Sequence, residues 1–171
     1  MRMLFLVGLA IAVFLAMEVV SYATHRWVMH RLGMRWHRSH HAPPHGRWEA
    51  NDVFPAVFSA VGFGIFLTAA ITHSAIGYAI AIGVTAYGLA YAFLHEIVIH
   101  RRISVRTPAW PYLHWVRDAH GIHHAFGGEP YGMLLPVVSS ALRERARARS
   151  GPSELERDDR RASMPRTRQR L

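Results

Sequence analysis

The chain opens on an apolar run from Leu4 to Met17 that continues to Ala23 with a single charge, Glu18. Two further runs follow, Val53 to Ile71 and Ala75 to Leu94, and neither contains a charged residue. Each approaches the roughly 20 residues an α-helix needs to cross a bilayer. Only Thr72-His73-Ser74 separates the second run from the third, which leaves room for a tight helical hairpin and nothing larger. Within the third, Gly77, Ala81 and Thr85 recur four residues apart, a small-residue stripe that lets membrane helices approach closely. The pattern predicts an all-α integral membrane bundle of about three spans. The first run has a rival reading as a secretory signal peptide, with Val20-Ser21-Tyr22-Ala23 as its cleavage region. An anchor is favoured, because the helical pattern runs on past it and Glu18, Tyr22 and His25 share one face at spacings of four and three.

The polar positions beside these runs are dominated by histidine and arginine. Ten of the thirteen histidines fall in four clusters: His25 and His30, then His37, His40 and His41, then His95 and His100, then His120, His123 and His124. The order is HX4H, HX2HH, HX4H, HX2HH, with the two apolar runs of the hairpin lying between the halves. Imidazole is the commonest neutral metal ligand, and ten exceed what one ion can use, so a two-metal site is expected. In HX2HH the histidines stand at i, i+3 and i+4, one face of an α-helix, so each triplet can converge on one metal region. HX4H differs: five residues carry an α-helix about 140° past a full circuit. Either the helix is distorted there, or the two histidines of each pair serve different metals.

Charge decides the topology. All twenty basic residues are arginine and the net charge is +9. Ten arginines lie after Leu142 among five acidic residues, and most of the others flank the apolar runs, which argues for a membrane protein rather than a nucleic-acid binder. Arg26, Arg31, Arg35, Arg38 and Arg47 flank the first histidine pair; Arg101, Arg102, Arg106 and Arg117 flank the second. Two spans separate the pairs, so both emerge on one side, and the positive-inside bias predicts a cytoplasmic histidine-lined site with the N-terminus outside. Residues 1–138 read as the membrane domain, and 139–171 as a disordered Arg-rich tail, cytoplasmic like the site. Met133 to Val138 is too short to span; it either re-enters the membrane surface or packs over the site.

The chain has no cysteine, so any metal here is held by nitrogen and oxygen, and thiolate zinc sites, ligated iron–sulfur clusters and disulfides are excluded. A closed, four-coordinate structural zinc would leave six of the ten histidines unexplained. Non-haem iron takes such ligands and keeps positions open for dioxygen. A pair of irons can deliver one oxygen atom to an unreactive C–H bond, given two electrons from outside. With no dinucleotide-binding glycine fingerprint and no haem attachment motif, a separate electron donor is implied. A substrate arriving from the bilayer would be apolar.

The four boxes in this order, Met17-Glu18-Val19 upstream of them and Asn51-Asp52 before the second span resemble the bacterial β-carotene 3-hydroxylases. These belong to the wider fatty acid hydroxylase and sterol desaturase superfamily of membrane non-haem di-iron enzymes. The resemblance covers about residues 14–138. It implies C3 hydroxylation of the β-rings of β-carotene, through β-cryptoxanthin to zeaxanthin, in the bacterial inner membrane. It also implies two iron ions, O2 as co-substrate, and electrons from a ferredoxin or NAD(P)H through a separate reductase. The alternatives are a related oxygenase acting on a fatty acyl, sterol or ketocarotenoid substrate, or a histidine-rich metal binder or transporter. The chain departs from the common pattern in Glu129-Pro130-Tyr131-Gly132-Met133-Leu134-Leu135 after the last box, in Ala42, and in Glu96; none removes a histidine.

Three carboxylates sit close enough in sequence to serve the site. Glu18, an ionisable group inside a predicted span, either orients His25 or reaches water or an arginine. Asp52 either hydrogen-bonds a ligand histidine or, as favoured, caps the second span with Asn51. Glu96 divides between orienting a ligand histidine and an exposed arginine pair. His45, His73 and His114 are expected at the surface. Tyr78, Tyr87 and Tyr91, with Phe58, Phe63 and Phe66, could wall a tunnel, but packing or interface anchoring is the commoner use of such residues.

Overall fold

In a computed structural model the chain is all-helical, and residues 1–42, 48–103 and 105–150 are described. Helix α1 spans Arg2–Ala23 and runs without a break into a π-helical segment, Thr24–Leu32. A short α2 (Met34–His37) and a 3-10 turn (Ala50–Asp52) lead into α3 (Val53–Ile71). Helix α4 (Ala75–Ala92) again continues as a π-helical segment, Phe93–Ile99, and α5 covers Pro111–Phe126. Three of these stretches, Arg2–Leu32, Ala50–Ile71 and Ala75–Ile99, are long and apolar enough to cross a membrane.

The expected hairpin joins α3 to α4. His73 takes a left-handed conformation at φ 49°, and the Ser74 hydroxyl caps α4 by accepting the Gly77 N–H at 3.0 Å. Helix α4 is central and packs against both α3 and α1. Gly77 serves the hairpin, where an added Cβ would lie 2.8 Å from that of Ala69. The tightest approach to α1, however, is at Gly83, outside the predicted stripe: a Cβ there would lie 2.5 Å from the Ala10 carbonyl oxygen and 2.8 Å from the Val13 Cβ. Valine at Gly83 is therefore expected to force α1 away, costing about 1–3 kcal/mol. Thermal unfolding of the detergent-solubilised protein would register the loss, whereas Gly88→Ala, which meets nothing within 4 Å, would leave the transition in place.

The outward faces of the three long helices are apolar and uncovered, as at Leu4, Val57, Phe63 and Leu89. On a water-soluble protein so much exposed apolar surface would be anomalous; on a bilayer-embedded one it is the lipid face. Buried apolar packing concentrates at the other end of the bundle. There Leu94 and Val98 of the second π segment meet Leu113 and Val116 of α5, with Trp115 and Leu134 packed against them. This small core fixes α5 against the end of α4, and the Arg117 Nε–H donates to the Val98 carbonyl at 3.2 Å. Pro111 starts α5, where a missing N–H costs nothing, and Gly127 ends it in a left-handed conformation at φ 66°.

The chain divides into two units at Val137/Val138. In the second, where a disordered tail is expected from 139, residues Ser140–Ser150 form helix α6. Its Ala-, Leu-, Arg- and Glu-rich sequence has high helix propensity, and the Ser139 hydroxyl accepts the Leu142 N–H at 3.3 Å as an N-cap. Residues 151–171 lie outside the described residues, as do His45 and Arg47.

Candidate metal centre

All ten box histidines come together at one end of the bundle, and they sort into two groups. His25, His30, His37 and His123 each offer a ring nitrogen, all within 4.8 Å of one another, and His40, His95, His100 and His120 do the same. His41 joins the first group, its Nε2 lying 3.2 Å from that of His37. His124 joins the second, its ring 4.6 Å from His120 and 4.7 Å from His40. The His41 and His124 rings stack at 4.4 Å, linking the two groups.

The backbone explains how residues five apart share a group. The segment carrying His25 and His30 is π-helical, and so is the one carrying His95. In a π-helix the hydrogen bond runs from residue i+5 back to i, widening the turn by one residue. The His100 N–H donates to the His95 carbonyl at 2.9 Å, closing such a turn. Of the two alternatives left open by the spacing, the distorted helix is the one found. The HX2HH triplets correct the other expectation. Rather than each converging on one region, His37 and His41 face the first group while His40 faces the second, and His123 faces the first while His120 and His124 face the second. Residues 38–41 form turns beyond the end of α2, which frees His40 to point away from its neighbours.

The ring nitrogens reveal what the groups are built to hold. The His25 Nδ1 lies 3.0 Å from the Tyr131 carbonyl, the His123 Nδ1 2.6 Å from the Gly128 carbonyl, and the His37 Nδ1 2.7 Å from the Asn51 Oδ1. Carbonyl oxygens only accept, so each Nδ1 carries the hydrogen and each Nε2 presents a bare lone pair. Yet the bare Nε2 atoms of His25 and His37 face each other at 3.3 Å, and the His30 Nε2 lies 3.2 Å from that of His37 and 3.1 Å from that of His123. In the second group the Nε2 atoms of His40 and His95 are 3.0 Å apart, and those of His100 and His120 3.1 Å. The His124 Nε2 is buried with no hydrogen-bond partner among the described residues. Protons do not resolve the conflict at neutral pH, because burial holds His37 down to about 4 and His100 and His123 to about 3, and pushes His40 lower still. A metal cation does. Two nitrogens each about 2.1 Å from one ion and at right angles lie about 3.0 Å apart, near the spacing seen here.

Around the rings stand residues that fix them. Glu96 accepts from the His95 Nδ1 at 2.6 Å and from Arg102 at 3.0 Å, so it orients a histidine and pairs with an arginine at once. Asp52 touches no histidine, and it does not cap the second span as favoured, its side chain making no cap bond to α3. It accepts the Glu49 N–H at 2.9 Å, closing the 3-10 turn, and pairs with Arg102 at 2.7 Å, while Asn51 is taken by His37. Glu18 does not reach His25. Its carboxylate accepts the N–H groups of Met133, Leu134 and Leu135 at 2.9–3.1 Å and the Tyr87 hydroxyl at 2.7 Å. The segment it holds carries Tyr131, whose carbonyl fixes His25 and whose ring edges against His25, His30 and His123. Tyr131 is thus what edges the site, while the stretch from Met133 packs on Glu18 and, through Leu134, on the small apolar core. Gly132 is required there, since a Cβ would lie 2.9 Å from the Leu135 carbonyl oxygen and 3.0 Å from Glu18.

Sequence reasoning passed over Asn51 as a histidine partner, and Glu49, Tyr131 and Arg102 as groups around the rings. The polar run Glu49-Ala50-Asn51-Asp52 abutting an apolar span was the available signal for two of them. Among the aromatic residues weighed as tunnel walls, Tyr87 is buried on Glu18, Tyr91 stacks on His95 at 5.1 Å, and Tyr78 packs on Phe66. His73 and His114 are exposed, as expected.

The Fatty acid hydroxylase family model matches residues 10–142, and the chain belongs to that family. Among its relatives, "Beta-carotene hydroxylase" of Pantoea ananas is 35% identical over 146 residues, covering 80% of this chain and 83% of that protein. "Beta-carotene hydroxylase" of Paracoccus sp. (strain PC1) is 36% identical over 125 residues, 72% of this chain and 76% of its own length. "Beta-carotene 3-hydroxylase, chloroplastic" of an Oncidium hybrid cultivar is 40% identical over 136 residues, 75% of this chain but only 44% of the plant protein. The chain thus spans less than half of that plant relative and most of the two bacterial ones. No solved structure gives a significant match.

Proposed function

We propose that the protein is a carotenoid β-ring hydroxylase that converts β-carotene through β-cryptoxanthin to zeaxanthin. Each hydroxylation balances as C–H + O2 + 2 e⁻ + 2 H⁺ giving C–OH + H2O. The observation that carries the metal half of this reading is the pair of inward-facing ring-nitrogen sets, in which the Nδ1 hydrogens of His25, His37, His123 and His95 are committed outward. The substrate half is supported by the bacterial relatives of that name at 35–36% identity over most of the chain. His25, His30, His37, His41 and His123 would hold one iron, and His40, His95, His100, His120 and His124 the other. Bound iron supplies the activation of dioxygen and the transfer of one of its oxygen atoms to carbon 3 of the ring.

This chain's own residues supply the setting. Burial keeps the imidazoles neutral, and the carbonyls and carboxylates behind them fix one tautomer and one orientation. Tyr131, carried on the segment that Glu18 pins, edges against the first group of histidines. The lipid-facing helices would deliver an apolar polyene from the bilayer. Arginines clustered beside the boxes favour a cytoplasmic site in the bacterial inner membrane, with the N-terminus outside and a ferredoxin-type donor, fed by a separate reductase, approaching from the cytoplasm. The test is pigment analysis of a β-carotene-producing bacterium that expresses the chain with a competent reductant. Cryptoxanthin and zeaxanthin formed only in the presence of O2 are expected. Echinenone or canthaxanthin would indicate a ketolase instead. Unchanged β-carotene, with the protein present in the membrane, would sink the carotenoid reading and favour a lipid substrate.

A further inference from the structure

The two histidine groups differ in what stands behind them. In the first, the outward nitrogens meet neutral acceptors: the Tyr131 carbonyl, the Gly128 carbonyl and the Asn51 amide oxygen. The carboxylates nearest to it are engaged elsewhere, Glu129 with Arg26 and Tyr22, and Glu18 with the backbone of residues 133–135 and Tyr87. In the second group, His95 donates to the Glu96 carboxylate at 2.6 Å, and the His40 Nδ1 faces the Glu49 carboxylate at 3.5 Å. The facing oxygen, Glu49 Oε2, is buried and has no hydrogen-bond partner among the described residues. Arg102 ties this side together, reaching Glu49 at 3.1 Å, Asp52 at 2.7 Å and Glu96 at 3.0 Å. Three carboxylates thus share one guanidinium beside the second group, and they leave it formally two charges negative.

A carboxylate accepting from a ligand imidazole makes the opposite nitrogen a stronger donor to a cation, and uncompensated negative charge within a few ångströms adds to the attraction. An amide or peptide carbonyl orients the ring but does neither to the same degree. We infer that the two metal positions are inequivalent, with the ion at His40, His95, His100 and His120 held more tightly than the ion at His25, His30, His37 and His123. This rests on the two-metal reading above. The carboxylates Glu49 and Glu96 are positioning residues that act through His40 and His95, and Arg102 sets where they stand.

Metal release tests this without reference to activity. The full-length protein in detergent, loaded with Zn²⁺, would be mixed with excess chromophoric chelator and the liberated zinc followed in time. Two equivalents per chain are expected to leave in two phases, separated at least about 10-fold in rate, because groups of this kind change metal affinity by roughly 10–100-fold. Glu96→Gln and Glu49→Gln, near-isosteric changes, should accelerate the slow phase and leave the fast one in place. Asn51→Asp puts a carboxylate behind His37 and should slow the fast phase, which keeps the test decisive if either glutamine variant fails to fold. Release of both ions at one rate, or substitutions at Glu49 and Glu96 that act on the fast phase, would overturn the inequivalence. Fewer than two zinc ions bound per wild-type chain would instead overturn the two-metal reading beneath it.

Discussion

Alanine in place of His37 is expected to abolish hydroxylation, lowering the rate by more than about 100-fold, since even the groups that merely orient metal ligands are worth 10–100-fold. His37 is at the centre of the first group: its Nε2 lies within 3.3 Å of those of His25, His30 and His41. Removing it takes away one donor and also frees the Asn51 side chain that it holds at 2.7 Å. The measurement is twofold, product formation in carotenoid-producing cells and iron per purified chain. Loss of activity should accompany loss of about one iron, the second group being complete without His37. A variant that keeps both irons and its activity would show that His37 is not a ligand. One that loses both irons would show that the groups are not separable.

The second large effect is expected at Glu18, and on stability. Its carboxylate is the acceptor for three successive backbone N–H groups, Met133 to Leu135, and for the Tyr87 hydroxyl. Hydrogen bonds to a charged group are worth roughly 1.5–3 kcal/mol each, and donors left unsatisfied cost their full desolvation. Glu18→Ala is therefore expected to destabilise the protein by on the order of 3 kcal/mol or more, and Tyr87→Phe, which removes one of the four donors, by about 1.5–3 kcal/mol. Because the same segment presents the Tyr131 carbonyl to His25, Glu18→Ala should also lower iron content. Thermal unfolding in detergent with a parallel metal assay would check both. An unchanged transition temperature for Glu18→Ala would contradict the anchoring role.

Much of this arrangement is legible in the residues themselves. The apolar runs mark the three long helices, the three-residue link marks the hairpin, and the doubled box pattern marks the ten histidines that gather into two groups. What is not legible depends on contacts that close over distance or on a backbone choice that spacing leaves open. Four intervening residues cannot place both imidazoles on one face of a regular α-helix, but the spacing does not say whether the helix yields or the histidines diverge. The division of each HX2HH triplet between two groups arises because α2 stops at His37 and because α5 lies between them, neither of which is written in the triplets. Glu18 reads as a partner for His25 because the two share a helical face. Its backbone partners are more than 110 residues away, and bare backbone amides have no sequence signature; its side-chain partner, Tyr87, lies on another helix. The same holds for Tyr131 and Gly128, which act through their carbonyls.

The π-helical segments give the box length a meaning of its own. The four residues between His25 and His30, or between His95 and His100, are not a spacer of tolerable length; they are the circumference of one wide turn. Shortening the interval by one would restore an ordinary α-helical repeat and still stack the imidazoles. Lengthening it by one would stack them in neither helix type. The number of intervening residues and the type of helix are thus a single choice. Changing the box length in this chain would therefore change the hydrogen-bond register of the backbone at the point where the helix meets the histidine site.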